Sequence, residues 1–165
     1  MDTVLEVKNL SVAFHTVLGE VKAVRDVSFT IKKGSVTAIV GESGCGKSVT
    51  AKSIMGLIKK PGKVSDDSEI LFQGENIQNY SKKEWENYRG QKCSICFQDA
   101  LASLNPTMTV GKQIMEKIRV HKKVSKKEAW NEAAEMLAKV CIPNPEIRMR
   151  QYPHEFSGGM RQRVM

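Results

Sequence analysis

Eight consecutive residues, Gly41, Glu42, Ser43, Gly44, Cys45, Gly46, Lys47 and Ser48, have the spacing G-x-x-x-x-G-K-S, and the chemistry open to them is phosphate binding. The glycines allow backbone conformations that turn successive N–H groups inward, and a helix starting behind them adds its positive end. Lys47 would reach the β and γ phosphates of a nucleotide, and the Ser48 hydroxyl would ligate Mg²⁺. A tight turn that bound nothing would not require the Gly-Lys-Ser ending. A second anion-seeking arrangement is Ser157-Gly158-Gly159, a hydroxyl and two bare amides at a helix start. Taken alone, such a triplet is more often a plain helix cap. Gln98 follows the apolar run CSICF and would emerge at the C-terminal end of a strand, where open α/β sheets place ligands.

The elements that must position these groups can be read from patterning. From Leu5 to Ile31 the chain is β-rich and broken by polar turns, and LEVKNL, SVAFH and, after the loop TVLGE, VSFTI read as antiparallel strands. Lys32-Lys33-Gly34 turns into VTAIV, a continuous apolar run suited to a fully buried strand. Behind the glycine loop, SVTAKSIMGLI has helical spacing, with Val49, Ile54 and Leu57 on one side and Pro61-Gly62 as its breaker. The order strand, glycine loop, helix is the one phosphate binding needs. EILFQ is a further expected strand turned by Gly74, Ser81 with Glu84 offers a capping box, and CSICF reads as another buried strand.

Beyond Asn105-Pro106 the pattern becomes helical. Thr109 is expected to cap VGKQIMEKIRV, and Ser125 with Glu128 to cap KKEAWNEAAEMLAKV, whose Ala129, Ala133, Met136, Leu137 and Val140 form one apolar face. A short helix is expected at Pro145 behind Asn144, and Ser157 caps the last.

A phosphate loop alone does not choose among kinases, GTPases, helicases and transporters. With FSGGMRQRVM downstream, however, the chain resembles the ATP-binding-cassette (ABC) family, whose signature LSGGQ serves the nucleotide held by the opposite subunit of a head-to-tail dimer. Here Phe156 stands at the Leu position and Met160 at the Gln position. The resemblance implies that Gln98 is the Q-loop glutamine, contacting Mg²⁺ or the attacking water and coupling the site to membrane subunits. It also aligns Phe14 with an adenine-stacking position, against the competing reading of ordinary strand core. Within the family, GEVKAVRDVSF, FQDALASLNPTMTVGKQI and YPHEFSGGMRQRVM look most like ATPase subunits of dipeptide, oligopeptide and nickel importers.

The expected fold is therefore α/β. It is a P-loop NTPase core with an N-terminal antiparallel β-subdomain and a helical subdomain, truncated before the Walker B strand. Residues 1–100 would be the core, 101–156 the helical subdomain and 157–165 the signature and the start of its helix. The cofactors implied are ATP and Mg²⁺, with Lys47 and Gln98 in catalysis, Ser48 and Gln98 toward the metal, and the whole of Gly41 to Ser48, Phe14 and Ser157 to Gly159 around the nucleotide. The implied partners are a second ATPase subunit, transmembrane permease subunits and, indirectly, an extracellular solute-binding protein. The expected location is the cytoplasmic face of the membrane. In the family a Walker B Asp, a catalytic Glu and a switch His follow the signature helix; none is met before Met165, so the 165-residue chain is expected to be inactive alone. An unpaired edge on VTAIV would invite pairing with another chain or leave the loop poorly ordered.

Composition narrows the alternatives. The 41% hydrophobic content fits a globular class, and no apolar run approaches the roughly 20 residues that cross a bilayer. The net charge of +8 draws on Lys122, Lys123, Lys126 and Lys127, a stretch without interleaved aromatics, expected to be a solvated helix entrance rather than a nucleic-acid platform. Cys93 and Cys96 form a CxxC with no second ligand pair, so Cys45, Cys93, Cys96 and Cys141 are expected to be buried and structural. DNA-repair and chromosome-structure ATPases share both motifs but insert a coiled coil between them. Here Pro106, Pro143, Pro145 and Pro153 interrupt that interval and no heptad is sustained. A translation-factor ATPase without membrane partners stays open.

Overall fold

The structure, a computed structural model, describes residues 2–97 and 103–165. The chain divides into two compact units, Met1–Arg89 and Gly90–Met165.

The first unit is built on a long hairpin. Strand β1 (Thr3–Thr16) runs antiparallel to β2 (Gly19–Lys32), and β1 also pairs with β3 (Gly62–Val64) and β4 (Glu69–Phe72), which pairs with β5 (Glu75–Asn76). The expected segments LEVKNL and SVAFH are one strand, not two, and TVLGE shrinks to a turn at Val17-Leu18. Asn9 explains the difference. It adopts φ 50°, its N–H donates to the Ser28 hydroxyl at 2.8 Å, and the register shifts around it, so the chain absorbs a bulge without leaving the ladder. The buried face passes from Leu5 and Val7 to Leu10 and Val12, because one extra residue inverts the alternation and the bulge restores it. Ile70 and Phe72 of β4 complete that face with Ile77 and Tyr88.

Helix α1 (Lys47–Ile54) stops well short of Pro61-Gly62. Gly56, at φ 59°, ends it: its N–H reaches Ser53 O at 2.9 Å and the Leu57 N–H reaches Lys52 O at 2.8 Å, a Schellman closure. Val49, Ile54 and Leu57 are only half-buried, while Thr50, Ser53 and Met55 are buried. Helix α2 (Lys82–Asn87) carries the expected capping box, Ser81 with Glu84.

Two expected strands are absent. VTAIV, residues 36–40, carries no strand and is exposed along its length, with Val36 at 99% and Val40 at 91% of full exposure. CSICF, residues 93–97, has a single bridge at Cys93 and is otherwise irregular, with Phe97 exposed. An apolar run becomes a buried strand only when ladder partners satisfy its backbone groups, and no strand among the described residues pairs with either segment. The cysteine expectation fails for the same reason. Cys45, Cys96 and Cys141 are exposed and Cys93 is half-buried, because they sit in these unpaired segments, in the glycine loop and behind a helix end.

The second unit packs α3 (Val110–His121) against α4 (Lys126–Lys139), followed by α5 (Pro145–Arg148) and α6 (Gly158–Val164). Its core gathers Val110, Met115, Ile118, Ala129, Ala133, Leu137, Ile142, Met149 and Phe156. On α4 the apolar face is narrower than expected, since Met136 and Val140 are exposed. Thr109 occupies the N-cap of α3, but its side chain makes no cap bond. The chain ahead of α6 does the work instead, for the N–H groups of Val110 and Gly111 donate to Gln151 O and Met149 O, each at 2.9 Å. Lys122, Lys123, Lys126 and Lys127 are solvated, as expected. No helix among the described residues is long and apolar enough to cross a membrane.

The capping boxes carry a pH dependence. Hydrogen bonds from the Ser81 hydroxyl (2.6 Å) and backbone N–H (2.7 Å) hold the Glu84 carboxyl below the ordinary carboxylate range, and Ser125 does the same for Glu128. A depressed folded value contributes stability that is complete above the unfolded value and disappears as pH falls through the folded one. Urea midpoints of the wild type and Glu84→Gln should therefore differ at neutral pH and converge only once the pH has fallen through the depressed folded value of Glu84.

Candidate nucleotide site

The residues of the glycine loop are brought together around one side chain. Gly44 has φ 84° and Gly46 φ 93°, left-handed conformations that glycine adopts without strain, and the Cys45 N–H closes a turn on Glu42 O at 3.3 Å. Lys47 then folds back into the loop that precedes it. Its ammonium donates to Gly41 O at 2.7 Å and Glu42 O at 2.6 Å, and lies 3.5 Å from Cys45 Sγ. Gly41 is tight against the loop as well, since a Cβ there would meet Cys45 Sγ at 2.6 Å.

Gly46 joins the loop to the scaffold. A Cβ on it would collide with the carbonyl oxygen of Ala23 and lie 3.3 Å from Val24 Cγ2, both on β2. Gly46 is also the N-cap of α1 and accepts the Thr50 N–H at 2.8 Å. The first free amides of α1 therefore lie beside the loop, where they and the helix dipole favour an anion. Glu42, Ser43, Gly44 and Ser48 are exposed, so an incoming polyphosphate can reach both the loop and the hydroxyl.

Phe14 sits on β1, half-buried, opposite Val21 of β2 and Gly62 of β3. Its ring covers Gly62, where a Cβ would be 2.7 Å from Phe14 Cε1. Val21 is two residues along β2 from Ala23, a rise of about 7 Å, so Phe14 and the glycine loop belong to the same stretch of the hairpin. Gln98 lies outside the described residues.

In the second unit, Ser157 caps α6 by accepting the Met160 N–H at 3.3 Å, which leaves its hydroxyl hydrogen available to an anion. Gly158 and Gly159 are exposed, and a Cβ on either would meet nothing within 4 Å. Packing does not demand glycine at those two places. Their use there leaves an open approach to the first amides of α6. Phe156 is buried in the helical core with the Arg148 guanidinium 5.9 Å from its ring centroid, so its bulk serves packing.

Patterning missed one group on the reverse end of α1. Arg89 donates from Nε to Met55 O at 2.8 Å and from Nη2 to Gly56 O at 2.7 Å, and its guanidinium lies 4.7 Å from the Trp85 ring centroid. Gly56 in MGLI was the available signal, as a helix-terminating glycine.

The chain is 50% identical over 165 residues to the dipeptide transport ATP-binding protein DppD of Lactococcus lactis subsp. cremoris, covering 99% of this chain and 47% of that protein. It is 53% identical over 161 residues to the oligopeptide transport ATP-binding protein OppD of Bacillus subtilis, covering 98% of this chain and 45% of that one. The chain thus spans about half the length of the curated relatives it matches. Among solved structures, a dimeric bacterial ABC transporter cassette superimposes with a TM-score of 0.81 at 23% identity over 97% of this chain and 66% of that chain. The same cassette, bound to ADP and phosphate in a post-hydrolysis state, gives the same score. At that identity the likeness speaks for the fold, the expected α/β ATPase fold with its antiparallel β-subdomain and helices. The ABC transporter family itself matches residues 24–165, a span that takes in both the glycine loop and the Ser157-Gly158-Gly159 turn. The chain belongs to the ABC transporter family.

Proposed function

We propose that this chain supplies the nucleotide-binding part of a transport-coupled ATPase that energises uptake of dipeptides or oligopeptides. The observation that carries the reading is the closed loop Gly41–Ser48, with Lys47 Nζ held at its centre and the N-terminus of α1 behind it. Polyphosphate oxygens replace the Gly41 and Glu42 carbonyls as acceptors for Lys47, and the amides around Gly44 and Gly46 bind the remaining charge. Ser48, exposed on the first turn of α1, suits a Mg²⁺ ligand. The ion would neutralise charge building on the β and γ oxygens. Phe14 stacks on the base, and Gln98 orients the water and transmits the nucleotide state.

In this reading the open glycines after Ser157 serve the nucleotide of a second subunit arranged head to tail. The nucleotide-binding core takes in 1–100, the helical subdomain 101–156 and the signature 157–165, a division by role rather than by the packing break after Arg89. Transmembrane permease subunits receive the nucleotide state through Gln98 at the cytoplasmic face, and a solute-binding protein delivers the peptide outside. The names of the relatives favour peptide over nickel as cargo.

Reconstitution tests the reading. The intact protein, assembled with its permease partners in vesicles, is expected to hydrolyse ATP and accumulate a labelled oligopeptide in an ATP-dependent manner. Accumulation of Ni²⁺ in place of peptide, or hydrolysis that no membrane partner stimulates, would contradict it.

A further inference from the structure

Helix α1 has eight residues, about 12 Å of helix, too short to hold its direction by intrinsic helicity. Both of its ends must be fixed by other parts of the first unit. At the N-terminal end Gly46 rests on Ala23 of β2. At the C-terminal end the planar fork of Arg89 takes the two consecutive carbonyls that follow the last helical residue, Met55 O at 2.8 Å and Gly56 O at 2.7 Å.

The fork is itself held in place. Trp85 lies under the guanidinium at 4.7 Å and covers Gly56 so closely that a Cβ there would be 2.5 Å from Trp85 Cη2. Trp85 stands edge-on to Tyr88 with centroids 5.5 Å apart, and Tyr88 stands edge-on to Phe72 of β4 at 5.1 Å. A continuous line of contacts therefore runs from the sheet through Tyr88, Trp85 and Arg89 to one end of α1, and along α1 to Lys47 at the other. The charge has the right sign for its place, because a cation is favoured at the negative end of a helix.

We propose that Arg89 is a positioning residue for the phosphate loop. By fixing the axial position and rotation of α1 it fixes where the Lys47 ammonium and the first helix amides meet the phosphates. The proposal rests on the reading that Gly41–Ser48 binds nucleotide. A misplacement of about 1 Å can cost about 100-fold in rate where reacting groups are positioned, and a partial loosening of α1 is expected to cost about tenfold in affinity.

The test uses the intact protein, a fluorescent ATP analogue with Mg²⁺, and the variants Arg89→Gln and Arg89→Lys. Arg89→Gln is expected to raise the dissociation constant about tenfold while far-UV dichroism and a cooperative melt show a folded protein. Arg89→Lys, a single point donor in place of a fork, is expected to fall between the two. Trp85 emission, assigned by difference against Trp85→Phe, should change on nucleotide binding in the wild type and respond less in Arg89→Gln. A folded Arg89→Gln, or a folded Arg89→Lys if the first variant does not fold, that binds within twofold of the wild type overturns the proposal, as does a lowered melting temperature with unchanged affinity. Failure of the wild type to bind the analogue defeats the nucleotide reading instead.

Discussion

Gly46→Ala is expected to abolish nucleotide binding and to destabilise the first unit together. The left-handed conformation at φ 93° costs an alanine about 1–2 kcal/mol. That strain is the smaller part, because the new Cβ would occupy the space of the Ala23 carbonyl oxygen and touch Val24 Cγ2. Ala23 lies at a bulge of β2, held on both sides by the pairing of Lys22 with Ala13 and of Val24 with Val12, so the loop is expected to move instead, carrying the start of α1 with it. Urea denaturation should register the loss of stability. Titration with the ATP analogue should show affinity reduced by far more than the stability change alone predicts. By contrast, Gly44→Ala meets no neighbour within 4 Å and suffers only the conformational strain, which makes it the informative control.

Lys47→Ala should separate those two effects. The ammonium serves two carbonyls of exposed residues, Gly41 O and Glu42 O, which water can satisfy when the side chain is removed. Stability should therefore change little. With nucleotide present, the same ammonium makes charge-assisted bonds to phosphate, each worth about 1.5–3 kcal/mol. Losing one or two of them is expected to weaken ATP binding about 100-fold, read by the same titration, with the melting temperature of the unliganded protein nearly unchanged. A large loss of stability in this variant would mean that the lysine is a structural staple and not a ligand-binding group.

The contrast between these two variants mirrors what the sequence could reveal. Lys47 and the glycines around it were legible because their chemistry is local: a strict spacing, a loop and a helix start within eight residues. Ser81 with Glu84 and Ser125 with Glu128 were legible on the same ground, since a capping box is complete within four residues. VTAIV and CSICF were misread because a strand is a property of two chains of hydrogen bonds, and patterning describes only one of them. Asn9 hid a bulge inside what looked like a gap between strands. Thr109 had the right residue type for a cap, but tertiary carbonyls at Met149 and Gln151 had already taken the amides. Arg89 was invisible for the opposite reason, since its partners lie 33 and 34 positions away.

The most direct measurement is amide chemical-shift mapping of the intact protein with MgADP. The account predicts the largest changes at Gly44, Cys45, Gly46, Lys47 and Ser48, saturating together, with the loop amides of Lys47→Ala shifting only at about 100-fold higher nucleotide. Saturable nucleotide binding that leaves those five amides unmoved, or no binding at all, would contradict it.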